Sequence, residues 1–125
     1  MHENDIAREI VDAAFKVHTA LGPGLLESVY EAVLALELRK RSLKVERQVP
    51  IPVVYEEVRL EEGFRADLVV QNKVLVELKS VEKVAPVHKK QVLTYLRLAN
   101  MKLVLLINFG EALIKDGIAR VVNGL

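Results

Sequence analysis

The sequence predicts an α/β fold in which a mixed β-sheet is flanked by helices, in the order ααβββαββ. Three observations predict this arrangement. Apolar residues recur at helical spacing up to Arg41, and from Ser42 onward they alternate with polar residues as in a half-buried strand. A further helical pattern later in the chain separates two strongly apolar segments, which is typical of a strand–helix–strand crossover.

Two helices are predicted at the start of the chain, over residues 4–20 and from Leu25 to Arg41. Asn4 or Asp5 suits the N-cap of the first helix, and Gly22-Pro23-Gly24 ends it. The apolar stripe of the first helix is Ile6, Ile10, Ala13, Ala14, Val17 and Leu21. The stripe of the second helix is Leu26, Val29, Tyr30, Val33, Leu34 and Leu38.

A first strand is predicted over Val45–Tyr55, where apolar residues occupy alternate positions. Pro50 and Pro52 lie on one face of this strand and cannot donate ladder hydrogen bonds, so we expect an edge strand. After a turn at Glu56-Glu57, a second strand starts near Val58 and is irregular in its first half.

The second half of the chain has the clearest patterns. A three-residue turn separates the two strongest strands, and Asn72 in that turn can take a positive φ. A helix that starts near Pro86 connects two apolar strands, which predicts a right-handed crossover and parallel pairing. The predicted elements are the strands Phe64–Val70 and Val74–Ser80, the turn Gln71–Lys73, the helix Ala85–Ala99, the strand Lys102–Asn108, a turn at Asp116-Gly117 and the strand Ile118–Val122.

Composition indicates a single domain over residues 1–125. The chain has 125 residues, of which 51% are hydrophobic, and a formal net charge of +1, so it can bury a core and does not have the composition of a disordered chain. The lack of cysteine excludes disulfides, thiol catalysis and cysteine-based zinc sites. The N-terminus does not resemble a signal peptide, and no apolar run approaches the roughly 20 residues of a membrane span. We therefore expect a cytoplasmic protein without membrane contact.

Glu77 and Lys79 are the first candidates for a functional site. Side chains alternate along a strand, so both point to one face while Val76 and Leu78 point into the core. A strand that leads into a crossover helix is usually covered on both faces, where charges need partners. Asp67 shares the face of Glu77 if the turn between their strands has three residues, whereas a two-residue turn places it on the wrong face.

Asp67, Glu77 and Lys79 together suit the hydrolysis of phosphodiester bonds. Two close carboxylates repel each other unless a cation lies between them, and Mg²⁺ or Mn²⁺ suits ligands that are all oxygen. The Lys79 ammonium would stabilise a developing negative charge or hold the attacking water. Such a spacing also occurs by chance, so the prediction needs support from other parts of the chain.

That support comes from two helices. Gln91 and Tyr95 are four residues apart and share a helix face with His88, which would overhang the strand end that carries Lys79. The plain alternatives are that Tyr95 is half-buried packing and His88 a surface residue. Glu27 in the second helix is either a further acidic ligand or water-positioning group, or only a carboxylate stabilised by the helix N-terminus.

These residues resemble a known family. Asp67, then Glu77-x-Lys79, then a helix with Gln91 and Tyr95 resembles the PD-(D/E)XK nuclease superfamily. The stretch Gly24-Leu25-Leu26-Glu27-Ser28-Val29-Tyr30 resembles the motif of the GxxExxY proteins within that superfamily. Residues 63–67, 88–96, 106–109 and 116–118 look like the remaining blocks of the same family, so the resemblance covers nearly the whole chain.

The resemblance implies a restriction-endonuclease-like core and a set of roles. Asp67 and Glu77 would be metal ligands and Lys79 the catalytic lysine. Glu27 would be the acidic residue, and a further metal ligand, that many superfamily members place on an N-terminal helix. The accessory helix residues of the superfamily would be Gln91 and Tyr95.

We therefore expect a Mg²⁺- or Mn²⁺-dependent nuclease that acts on DNA or RNA. The alternative is a non-catalytic nucleic-acid-binding or scaffold module that keeps the fold. In the absence of a recognition module, specificity would be low or supplied by a protein partner, and the first helix or the proline-bearing strand would offer a homodimer face. Two basic clusters would neutralise phosphates, although solvated helix faces are the plain alternative. The clusters are Arg39, Lys40, Arg41, Lys44 and Arg47, and Lys83, His88, Lys89, Lys90, Arg97 and Lys102.

Overall fold

The computed structural model describes all 125 residues and has the predicted order of elements. A short 3₁₀ turn, Ile114–Gly117, precedes the last strand where the sequence predicted a turn. None of the helices is both long and apolar enough to cross a bilayer. The helices are α1 (Glu3–Leu21), α2 (Glu27–Lys40) and α3 (Pro86–Ala99), and the strands are β1 (Val45–Tyr55), β2 (Val58–Val70), β3 (Val74–Lys79), β4 (Leu103–Asn108) and β5 (Ile118–Val122).

The five strands form one mixed sheet in the order β1-β2-β3-β4-β5. Neighbouring strands are antiparallel except β3 and β4, which are parallel as the crossover through α3 predicted. β1 lies at the edge of the sheet, as Pro50 and Pro52 predicted. An edge strand tolerates these prolines because one side of it has no ladder in which their missing N–H groups would be needed.

Helices cover the sheet on both faces, which gives the chain two cores. α1 and α2 pack on one face over a cluster that includes Val74, Val76 and Leu78 of β3. α3 packs on the other face over a smaller cluster that includes Leu75. Successive β3 side chains thus alternate between the two cores, and this alternation places Glu77 on the α3 face.

The starts of the first two helices differ from the prediction. His2, rather than Asn4 or Asp5, caps α1, because its Nδ1 accepts a hydrogen bond of 2.9 Å from the Asn4 N–H. α2 begins at Glu27, later than predicted, so Leu26 precedes the helix and is 74% exposed. Leu26 therefore contributes nothing to the apolar stripe to which the sequence assigned it.

The hairpin of β1 and β2 extends beyond the rest of the sheet. β2 pairs with β3 only over Leu68–Val70, whereas its pairing with β1 continues to the turn at Glu56-Glu57. The irregular stretch predicted in β2 corresponds to a shift in the register of the β1–β2 pairing, which occurs between Ile51 and Val53 of β1. A Cβ on Gly63 would overlap the Ile51 carbonyl oxygen, so this close approach of the two strands requires glycine.

Candidate active site

The turn between β2 and β3 sets the register of the candidate site. It has three residues, Gln71-Asn72-Lys73, and the first two have φ of 54° and 56°. Val70 therefore pairs with Val74, and continuing this register brings Asp67 to Glu77. The odd turn length that the nuclease interpretation requires is confirmed.

Asp67 and Glu77 are linked through main-chain hydrogen bonds. The Asp67 N–H donates to Glu77 Oε1 at 3.3 Å, and the Leu78 N–H donates to Asp67 Oδ2 at 2.8 Å. The regular pairing of β2 with β3 ends before these residues, so side-chain oxygens satisfy main-chain donors there. Each carboxylate is thereby held against the neighbouring strand.

The regular alternation that the sequence assumed for β2 does not hold at Asp67. Ala66 and Val69 both pack in the core under α3, although residues three apart in a regular strand face opposite sides. Asp67 and Glu77 therefore meet where β2 is distorted, rather than by sharing one face of a regular ladder. Asp67 lines a cleft of about 340 Å³ on the α2 side together with Glu27, Ser28, Glu31, Gln48 and Leu78.

Burial raises the pKa values of both carboxyl groups. The pKa of Glu77 is raised from 4.5 to about 8, first by burial and then by the Asp67 charge, while the Asp67 N–H and the Lys79 charge act against the rise. Burial also raises the pKa of Asp67, with the Leu78 N–H opposing the rise and the Glu31 charge adding to it. The two carboxyls therefore interact as one acidic pair that favours uptake of a proton or a cation.

Lys79 ends β3 beside the acidic pair. Its side chain is half-buried, and its positive charge lowers the pKa of Glu77. The chain that follows is fixed by the buried Asn108, whose Oδ1 accepts hydrogen bonds from the N–H groups of Val81 and Gly110, both at 3.0 Å. Asn108 is thus a structural residue that holds the loop after Lys79.

α3 brings Tyr95 toward the acidic pair from the face of the sheet opposite α2. The Tyr95 ring stacks on Phe64 of β2, with centroids 3.7 Å apart and an angle of 7° between the planes. Burial raises the pKa of Tyr95, the Glu77 charge adds to the rise, and the Gln91 amide opposes it. Tyr95 therefore lies close enough to Glu77 to interact with its charge, and Gln91 lies next to Tyr95.

Two other candidates lie at helix starts. His88 closes the first turn of α3, where its Nδ1 accepts a hydrogen bond of 3.3 Å from the Ala85 N–H, which agrees with its reading as a surface residue. Glu27 is exposed at the start of α2, and its charge raises the pKa of both Asp67 and Glu77. No three acidic, histidine or cysteine side chains lie close enough together to hold a metal ion, so a ligand role for Glu27 stays a prediction.

Glu31, Arg47 and Gln48 form a network behind Asp67 that the sequence did not single out. Glu31 is only 7% exposed, and its Oε2 accepts a hydrogen bond of 3.1 Å from Arg47 Nε and lies 3.0 Å from Arg47 Nη2 in an ion pair. Gln48 Nε2 donates to Glu31 Oε1 at 2.5 Å and to Asp67 Oδ1 at 3.2 Å. One signal was available, because Glu31 follows Tyr30 on the buried stripe of α2, where a carboxylate needs a partner.

Tyr30, the tyrosine of the GxxExxY-like motif, has a structural role. Its hydroxyl donates to the Gly22 carbonyl oxygen at 2.5 Å and accepts from the Leu25 N–H at 3.1 Å. Its ring stacks on Phe109, with centroids 4.4 Å apart and an angle of 8°. These contacts fix the loop that leads into α2, and with it the position of Glu27.

The oxygen donors of Asp67 and Glu77 fit a hard divalent cation. Both groups are carboxyls, and burial together with the Asp67 charge disfavours the negative charge of Glu77, which Lys79 stabilises only in part, so the pKa of Glu77 is raised to about 8. A cation with oxygen ligands would supply the missing positive charge. The chemistry of the donor set is therefore compatible with Mg²⁺ or Mn²⁺.

Comparison with known proteins agrees with the fold. No curated protein and no solved structure matches the chain significantly. A family model described as the PD-(D/E)XK nuclease superfamily matches residues 4–121, which run from α1 into β5 and contain the whole candidate site. The mixed five-stranded sheet flanked by helices is consistent with the fold of that superfamily. The chain therefore belongs to the PD-(D/E)XK nuclease superfamily.

Proposed function

We propose that this protein is a Mg²⁺- or Mn²⁺-dependent nuclease that hydrolyses phosphodiester bonds in DNA or RNA. The observation that carries the proposal is the pair of the half-buried Asp67 and the buried Glu77, with Lys79 beside it. Within the superfamily, the Gly24–Tyr30 motif points to the GxxExxY group.

The proposed division of roles follows the position of each side chain. Asp67 and Glu77 would hold the cation, with Glu27 reaching it from the start of α2. When bound, such an ion supplies Lewis acidity and lowers the pKa of a water that attacks phosphorus. Lys79 would stabilise the charge that develops on the phosphate, and Tyr95 with Gln91 would contact the substrate from the side of α3.

The basic residues near α3 support a nucleic-acid substrate more strongly than those near α2. Arg41 and Arg47 are already engaged with acidic side chains, and the Arg39 guanidinium donates to the Val45 carbonyl oxygen. The basic side chains near α3 are exposed and take part in none of the salt bridges of the fold. They are Lys83, Lys89, Lys90, Arg97 and Lys102, and their free charges would be available to neutralise phosphates.

A cleavage assay tests the proposal. Labelled single- and double-stranded DNA and RNA are incubated with the protein in Mg²⁺, in Mn²⁺ or in EDTA. We expect cutting that requires the metal, is lost in Glu77→Ala and is kept in Glu62→Ala, which removes an exposed glutamate from β2. The absence of cutting on every substrate, with the protein folded and the metal present, would contradict the proposal.

The same assay separates a nuclease from a non-catalytic binding module. The exposed lysines of α3 would serve both functions, so binding alone does not distinguish them. A binding module would retain nucleic acid without metal, and its affinity would fall with rising salt but survive Asp67→Ala. A nuclease would lose turnover in that variant whatever its affinity for the substrate.

A further inference from the structure

Gln48 has a main-chain conformation that nothing in the strand pattern explains. Seven non-glycine residues have positive φ, and six of them lie in turns or at helix ends. Gln48, with φ of 52°, is the only one inside a strand. This conformation is disfavoured for a residue with a side chain and persists only where the surroundings hold it.

The distortion at Gln48 matches the distortion at Asp67 on the neighbouring strand. Arg47 pairs with Leu68 and Val49 pairs with Ala66, so Gln48 and Asp67 face each other across a gap in the β1–β2 ladder. Both strands depart from regular structure at the point where the candidate site begins.

The side chain of Gln48 spans this gap. Its Nε2 carries two hydrogens, one for Glu31 Oε1 at 2.5 Å and one for Asp67 Oδ1 at 3.2 Å. Glu31 is in turn held by an ion pair with Arg47, which includes a hydrogen bond from Arg47 Nε. The amide of Gln48 therefore has a fixed anchor on α2 and contacts Asp67 from a defined direction.

The Asp67 carboxylate is consequently held at both oxygens. Gln48 donates to Oδ1, and the Leu78 N–H donates to Oδ2 at 2.8 Å. These donors come from different strands, so rotation of the carboxylate would break at least one of the two bonds. Groups that orient a metal-binding carboxylate in this way tune how well it binds the ion.

We propose that Gln48 is a positioning residue that orients the Asp67 carboxylate, with Glu31 and Arg47 as its anchor. The inference rests on the proposed function, because it assumes that Asp67 is a ligand. A merely structural role for Gln48 would be to satisfy the buried Glu31 and to close the gap in the β1–β2 ladder. The two roles predict different effects of a glycine at position 48 on the orientation of the Asp67 carboxylate and on Mn²⁺ affinity.

Gln48→Gly is the variant that separates them. Glycine adopts positive φ freely, so the variant relieves the main chain while it removes the amide from Asp67. Gln71→Gly is the matched control, because Gln71 also has positive φ, 54°, but lies in the β2–β3 turn and hydrogen-bonds the Lys44 N–H. Both variants are compared with the full-length wild type by Mn²⁺ titration, thermal unfolding and crystallography.

We expect Gln48→Gly to weaken Mn²⁺ binding by about 10- to 100-fold, with a Tm close to that of the wild type. Crystals of the variant should show the Asp67 carboxylate rotated away from its position between Gln48 and Leu78, whereas Gln71→Gly should leave both the affinity and this carboxylate unchanged. If Gln48→Gly fails to fold, Gln48→Asn replaces it, since asparagine tolerates positive φ but is one methylene too short to span the gap.

Two outcomes would overturn the inference. One is a folded Gln48 variant whose Asp67 carboxylate keeps its wild-type orientation, and the other is a variant that binds Mn²⁺ as tightly as the wild type. Failure of the proposed function looks different, because the wild type itself would then bind no Mn²⁺ and cut no nucleic acid. In that case the crystallographic comparison alone still decides whether Gln48 orients Asp67.

Discussion

The Asp67 N–H donates to Glu77 Oε1 at 3.3 Å, so the main chain of β2 holds the carboxylate of β3 in place. The contact joins two strands at the point where their regular pairing ends. Because Glu77 is buried with a pKa of about 8, any proton or cation that it takes up is coupled to the stability of the fold. The site can therefore be examined through unfolding experiments before its substrate is known.

The stability of the metal-free protein should decrease between about pH 4.5 and pH 8. The pKa of Glu77 is raised from 4.5 to about 8 on folding, so the folded state holds this proton more tightly than the unfolded chain. The stability that this proton contributes to the fold is complete below the pKa of Glu77 in the unfolded chain, and it is lost as the pH rises through the pKa in the folded protein. Each pKa unit corresponds to about 1.4 kcal/mol, so urea unfolding from pH 4 to pH 9 should reveal a loss of several kcal/mol.

Glu77→Gln should remove most of this pH dependence, because glutamine cannot ionise. Its free energy of unfolding should match the wild type near pH 4 and exceed it at pH 9. Glu62→Gln, at an exposed site on β2, should follow the wild-type curve. A Glu77→Gln curve that runs parallel to the wild type would show that Glu77 is not the titrating group.

The candidate pair could be predicted from the sequence because a three-residue turn fixes which residues of β2 and β3 meet. The local distortion could not, since no residue type at Gln48 or Asp67 signals it. Gln48 is exposed, as a glutamine in an edge strand is expected to be, and only the fold brings its amide between Glu31 and Asp67. The network behind Asp67 thus depends on contacts between elements distant in sequence.

The order of elements could be predicted because most helices have an apolar stripe, and most strands show either alternation or a short apolar run. Helix starts were less certain, since an N-cap depends on one side chain: His2 performs this role for α1, although Asn4 and Asp5 have the stronger preference. The stripe predicted for α2 included Leu26 because its period continues backwards past the true start of the helix at Glu27. Periodicity identifies a buried face but does not determine where the main chain turns.

Lys79→Met should reduce the cleavage rate by about 10²- to 10³-fold at saturating Mn²⁺, because it removes the positive charge that would stabilise the negative charge developing on the phosphate. It should also raise the pKa of Glu77 further, since the Lys79 charge now lowers it. Mn²⁺ affinity should therefore fall at pH 7 and recover toward pH 9. Cleavage rates and Mn²⁺ titrations at the two pH values measure both effects.

Lys83→Met is the control for Lys79→Met, because Lys83 is exposed in the loop that follows β3. It should change the salt dependence of nucleic-acid binding and leave the rate at saturating substrate near that of the wild type. If Lys79→Met cleaves nucleic acid at the wild-type rate, Lys79 takes no part in the reaction.

Tyr30→Phe should destabilise the fold by about 1–3 kcal/mol, because it keeps the ring stacked on Phe109 but leaves Gly22 and Leu25 without their hydroxyl partner. Chemical unfolding at one pH measures the change. Tyr55→Phe is the matched control, since Tyr55 is 65% exposed at the end of β1 and should change stability by less than about 0.5 kcal/mol. Equal stability of the two variants would show that the motif tyrosine does not fix the loop before α2.

Glu27→Gln should weaken Mn²⁺ binding about 10-fold and leave the free energy of unfolding nearly unchanged. Glu27 is exposed, so its loss disturbs no core, yet its charge already raises the pKa of Asp67 and Glu77 from the start of α2. Glu31→Gln should behave in the opposite way, with a clear loss of stability, because it removes the buried charge that pairs with Arg47. Calorimetric titration and unfolding of both variants distinguish an exposed glutamate that reaches the cation from a buried one that supports the site. Unchanged Mn²⁺ affinity in Glu27→Gln would contradict the role of Glu27 as a ligand.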